Sequence, residues 1–114
     1  MDDIALVVGI LADALDVPVS TEIPPERPER LITVSLSSDA SDMLFHRPTM
    51  ALTVWGSSDR DAHGLAVSAF HALAEAAQTH PLLSSAQLQT MSRDEWTRDG
   101  QSRYLVEIDL VINV

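Results

Sequence analysis

Between Met50 and His80 the pattern of apolar and polar residues changes period once. Met50-Ala51-Leu52-Thr53-Val54-Trp55 reads as a strand, Gly56-Ser57-Ser58 as a turn, and the rest as one long helix. Apolar residues recur at Ala62, Leu65, Ala66, Ala69, Phe70, Leu73, Ala76 and Ala77, the three-and-four spacing of one helical face. Ser58, with Asp61 three residues on, resembles a capping box in which Asp replaces the usual Glu. Pro81 ends the helix, because proline lacks an N–H and its ring clashes with a continuing turn. The buried face is mostly alanine, so the helix is expected to lie close against a sheet.

The same reading gives the other elements. Asp2 and Asp3 cap a first helix whose stripe is Ile4, Val7, Val8, Leu11 and Leu15, ending near Asp16. Val17–Thr21 is short and β-branched, and Pro18 marks it as an edge or a strand start. Glu22–Arg30 contains Pro24, Pro25 and Pro28 and predicts a stiff, extended, exposed arm. Leu31–Leu36 alternates as a half-buried strand.

Ser37–Pro48 reads as a polar loop that then carries Met43, Leu44 and Phe45. These three either tuck into the core, start the next strand early, or face a partner. Ala86–Met91 alternates weakly, and Ser92–Trp96 prolongs it with a bulge. Asp99-Gly100 suits a two-residue hairpin turn. In Arg103–Val114, Tyr104, Val106, Ile108, Leu110 and Ile112 share one face, and Glu107 and Asp109 lie on the other. The order α-β-β-β-α-β-β predicts an α+β domain, a largely antiparallel sheet with two helices packed on one face.

Composition narrows what such a domain does. The 114 residues make one domain with a real core. No apolar run approaches the ~20 residues of a membrane span, and the N-terminus lacks the basic flank and cleavage site of a secretory signal. With no cysteine there are no disulfides, thiolate metal sites or Cys nucleophiles, in keeping with assembly in the cytosol. A net charge of −10 argues against a nucleic-acid-gripping surface, whose affinity comes from neutralising phosphates. It fits either simple solubility or a surface that must repel nucleic acid.

Motifs for chemistry are missing. The four glycines form no phosphate-cradling loop, and no serine sits in a nucleophile elbow. His63 and His71 are eight residues apart on a helix, too far to share a metal. The acids occupy helix starts, loops and an exposed strand face. We expect no enzyme, no catalytic residue, no cofactor and no metal.

Asp16-Val17-Pro18-Val19-Ser20-Thr21, then Pro24, Arg27-Pro28 and Arg30 ahead of a strand, resembles the tail-terminator (head–tail joining, tail completion) proteins of long-tailed bacteriophages. The Pro48–Trp55 strand, the Asp59–Leu73 helix and the long last strand continue that layout over almost the whole chain, as a single domain spanning residues 1–114. One departure is that the strand after Arg30 leads to Leu36-Ser37-Ser38-Asp39 and not to a basic, glycine-rich tip.

The resemblance implies a virion structural protein at the head–tail junction, assembled in the host cytoplasm. It implies a homo-oligomeric ring, typically a hexamer, that caps the tail tube, stops its polymerisation and offers a surface to the head. Its partners would be the tail tube protein and a head-completion or connector protein, with DNA passing through unbound and no membrane involved. Head completion, a minor tail role, and a small-molecule-binding domain outside phages are the alternatives. Candidate interface residues are Arg27 and Arg30 in the arm, Met43, Leu44, Phe45 and Arg47 in the loop, and Trp96.

Overall fold

In the computed structural model, which describes residues 2–94 and 101–113, the chain runs α1 (Asp3–Ala14), β1 (Val19–Ser20), β2 (Leu31–Asp39), β3 (Phe45–His46), β4 (Pro48–Gly56), α2 (Asp59–Thr79), β5 (Leu83–Arg93) and β6 (Ser102–Asn113). This is the expected α+β architecture, with one more short strand than the sequence suggested. The Asp99-Gly100 turn and the end of the Ser92–Trp96 extension lie outside the described residues.

Helix α2 has the predicted start and stop. The Ser58 hydroxyl oxygen accepts from the Asp61 N–H at 3.1 Å. Asp61 reaches back one residue further than a capping box does, accepting from the Ser57 N–H at 2.9 Å. At the other end His80 is extended ahead of Pro81, and its N–H closes on the Ala76 carbonyl. In α1 the Asp2 carboxylate accepts from the N–H groups of Ile4 and Ala5.

The strands lie in the order β1-β2-β4-β6-β5, with β3 beside the far end of β6. Among the described residues all pairings are antiparallel except β1 with β2. That parallel pair needs a crossover, and residues 21–30 supply it without a helix. The proline arm is therefore committed to joining β1 to β2.

Among the described residues a single core lies between the sheet and both helices. Val7 and Leu11 of α1 and Leu65, Ala66, Ala69 and Leu73 of α2 meet Ile32, Val34, Met50, Leu52, Val54, Val106, Ile108, Leu110 and Ile112. Alanines at positions 66 and 69 let α2 settle close to the strands. Where α2 begins, Gly56 lies against the backbone of Ala62. A Cβ there would stand 2.7 Å from the Ala62 Cα and closer still to its nitrogen, so only glycine fits.

Two strands outgrow their sequence signals. β2 continues through Ser37, Ser38 and Asp39 past a bulge after Leu36, so Ser37 does not begin a loop. β5 starts at Leu83, three residues before Ala86, and runs on through Ser92 and Arg93 as the expected prolongation does, with bulges after Leu83 and Leu88. Both extensions are largely exposed, so burial imposes no alternation to read there.

Candidate interaction surfaces

The segment expected as a loop is a β-hairpin arm. Ala40 N–H donates to the Arg47 carbonyl and Asp42 N–H to the Phe45 carbonyl, each at 3.0 Å, continuing the β2–β4 ladder beyond Asp39. Phe45 and His46 pair with Asn113 and Ile112 in the register that β4 keeps with β6. Of the three alternatives for Met43-Leu44-Phe45, Phe45 thus starts the next strand early. Met43 and Leu44 stay at the tip, 96% and 73% exposed.

The tip is built to hold that shape. One Asp42 carboxylate oxygen accepts from the N–H groups of Leu44 and Phe45, both at 2.9 Å. These bonds, with help from Arg47 at 3.4 Å, hold the Asp42 carboxyl below the usual carboxylate range. Asp39 is lowered too, by the hydroxyl and N–H of Ser41. The Arg47 guanidinium lies over the Phe45 ring at 5.5 Å. Two unpartnered apolar side chains on a pinned turn are a ready contact.

Arg27 and Arg30 have partners within the chain. The Arg27 guanidinium lies 5.4 Å from the Trp55 ring centroid and donates to Gln101 and to the Pro28 carbonyl. Arg103 approaches the same ring at 5.6 Å and pairs with Asp94. Between them these arginines cover Trp55, which is 4% exposed on the sheet face away from the helices. Arg30 binds its own Asp61 at 3.2 Å. Hydrogen bonds from the Ser57 N–H, chiefly, then its hydroxyl and Arg30 hold the Asp61 carboxyl below its ordinary value. Trp96 lies outside the described residues.

Sequence reasoning missed the sheet's helix-free face. Alternation puts Thr33 and Ser35 of β2, Thr49, Ala51 and Thr53 of β4, Leu105, Glu107 and Asp109 of β6 and Gln87 and Thr90 of β5 on it. Thr49 Oγ1 donates to Asp109 at 2.6 Å and Ser37 Oγ to Glu107 at 3.3 Å. Between the Arg27–Trp55–Arg103 cluster at one end and Arg47 at the other, these rows carry small or polar side chains, the exposed Leu105 and two carboxylates, so the middle of the face is acidic. Only the pairing of strands remote in sequence assembles it. Glu107 and Asp109, two apart on a strong strand, were its visible signal.

Chemistry is sparse elsewhere. Among the described residues no three His, Asp or Glu side chains are grouped to hold a metal ion. A groove of about 500 Å³ between the helices is lined by Ile10, Ala14, Ala72 and Ala76, with Asp13 and Glu75. A second, of about 450 Å³, contains Arg30 and Asp61, which are paired to each other. His46 Nδ1 lies 3.1 Å from Asp3, tying the arm's base to the start of α1.

No protein-family model and no curated protein matches the sequence. The fold, however, is similar to that of a chain in the "Virion of native gene transfer agent (GTA) particle". The two superpose with a TM-score of 0.60 over 96% of this chain and 86% of that one, at 14% identity. The likeness is one of fold and runs nearly end to end.

Proposed function

We propose that this protein is a structural component of a phage-like virion, without enzymatic activity, that works as a ring at the head–tail junction. The observation that carries the reading is the fold shared with a virion chain over 96% of this protein. The pinned apolar tip of the arm and the acidic middle of the helix-free sheet face support it, as surfaces that a lone monomer does not use.

In the ring, the acidic face lines the central hole. Carboxylates there repel phosphates, and the arginines at the two ends of the face are engaged within the chain, Arg103 with Asp94 and Arg47 with Asp42. The arm tip, with Met43 and Leu44, docks on a neighbouring protein. As a tail terminator the ring caps the tail tube, with one surface complementary to the last ring of tube protein and the other closed to further tube subunits. That second surface receives the head-completion or connector protein. The ring is homo-oligomeric, a hexamer by the resemblance of the sequence, and closed because head-to-tail contacts related by rotation end on themselves.

Electron microscopy and sedimentation of the purified protein, alone and with tube subunits, test this. The expected result is a ring with a hole of DNA width, formed alone or on the tube end. A compact species that never adds to tube subunits and carries a bound small molecule would contradict it.

A further inference from the structure

The sheet ends in two open edges. β1 lies beside β2 only at Ile32 and Thr33. Among the described residues no strand flanks the outer side of β2 from Val34 to Asp39, and β5 pairs with β6 on one side alone. Such an edge is a row of N–H and C=O groups that templates another strand, and proteins usually blunt it with charge or proline. Leu83–Ser92 of β5 contains neither, and its two bulges are the only such device it carries.

The two edges stand level. The pairing registers trace rows across the sheet: Ser38, Thr49, Asp109, Gln87; Leu36, Met50, Ile108, Leu88; Ser35, Ala51, Glu107, Thr90; and Val34, Leu52, Val106, Met91. Three successive antiparallel pairings leave β5 antiparallel to β2. Leu36 and Leu88 end the same row, on the helix side, and are 46% and 43% exposed. Each edge thus presents one large apolar side chain at the same height.

We propose that β5 of one copy adds antiparallel to the Val34–Asp39 edge of β2 in the next copy, joining the sheets into one continuous wall around the ring. The proposal sets the ring axis along the edge strands, so that rotation moves no residue along it and every row meets its own continuation. Leu88 then packs against Leu36 of the next copy, as directly opposite side chains in antiparallel strands do. The same closure makes the acidic rows continuous around the hole. The occupant is a second copy because the two edges are antiparallel, level and carry their exposed leucines in one row. The proposal rests on the ring reading given above.

The cysteine-free chain allows a direct test. Ser38→Cys with Gln87→Cys places two thiols three strands apart within one copy, about 14 Å at ~4.8 Å per strand. That exceeds the roughly 7 Å a disulfide tolerates between Cα atoms, so any bond forms between copies. Mild oxidation should give a ladder of covalent multimers ending at the closed ring, while each single variant stops at dimers. Leu88→Glu should raise the protein concentration needed for rings at least tenfold while circular dichroism stays unchanged. Rings that give no ladder with this pair or with Ser35→Cys and Thr90→Cys, and that tolerate Leu88→Glu, overturn the edge pairing and leave the ring standing. A wild-type chain that stays monomeric alone and with tube subunits overturns both.

Discussion

Replacing Gly56 by alanine probes the joint between β4 and α2, on which the placement of the long helix depends. The added Cβ would lie 2.7 Å from the Ala62 Cα and nearer still to its nitrogen, with the Ala62 Cβ at 3.0 Å. The obstacle is mostly backbone in the helix's first turn, so no side chain can rotate away; α2 or β4 must shift. Ala62 is fully buried, which leaves little room for that shift. Overpacking of this kind costs about 1–3 kcal/mol, and a rigid obstacle places Gly56→Ala at the upper end. For a domain of this size that lowers Tm by on the order of 5–12 °C.

Gly9 and Gly64 supply the control. Both sit in helices, and an added Cβ meets nothing within 4 Å at either. Alanine there should stabilise by roughly 0.5–1 kcal/mol, because it restricts the unfolded chain more than glycine does. Thermal and urea unfolding of the three variants decides the matter. A Gly56→Ala protein as stable as wild type, or a shift of the same sign at Gly56 and Gly64, would refute the close approach.

Three further outcomes are expected. Asp61 has a folded pKa below its ordinary 3.8, so its contribution is complete above that value and is lost as pH falls further, when the unfolded chain protonates first. Asp61→Asn should accordingly flatten the fall of Tm below pH 3.8, and an unchanged slope would count against the Ser57 and Arg30 contacts. Met43→Ser with Leu44→Ser should leave Tm within about 0.5 kcal/mol equivalent of wild type while weakening co-sedimentation with the ring or tube. A large loss of Tm would mean the tip packs on its own domain. Glu107→Lys with Asp109→Lys reverses the charge of the helix-free face and should make a protein that retains DNA at low salt and releases it as salt rises. No gain in retention would remove DNA from that face.

The sequence carried the parts of the fold that burial controls. Both helices, the β4 alternation and the Ser58 cap were legible because a buried stripe or a satisfied terminus demands particular residues at fixed spacing. The second half of β2 and the start of β5 were not. Ser37, Ser38 and Asp39 are exposed, so nothing selects apolar residues there, and backbone pairing alone makes them strand.

The arm tip was half legible. Met43 and Leu44 stood out as apolar residues near a loop, but Asp42 as the residue that pins them became clear only from its two N–H partners. Arg27 and Arg30 looked like free cations in an exposed arm. Arg27 folds over Trp55, and Arg30 pairs with Asp61 while staying exposed, because these partners, distant in sequence, lie beside them. The acidic face was the least legible surface, since it is assembled from four strands and no local motif announces it.

As a tail terminator, the role proposed above, this chain ends a tail tube and prepares it for a head. Electron microscopy of particles assembled in a strain deleted for this chain measures that directly. The expected result is tubes that overrun their normal length and carry no heads, with normal particles restored by the intact chain. Tails of normal length, whether joined to heads or standing beside empty ones, would contradict it.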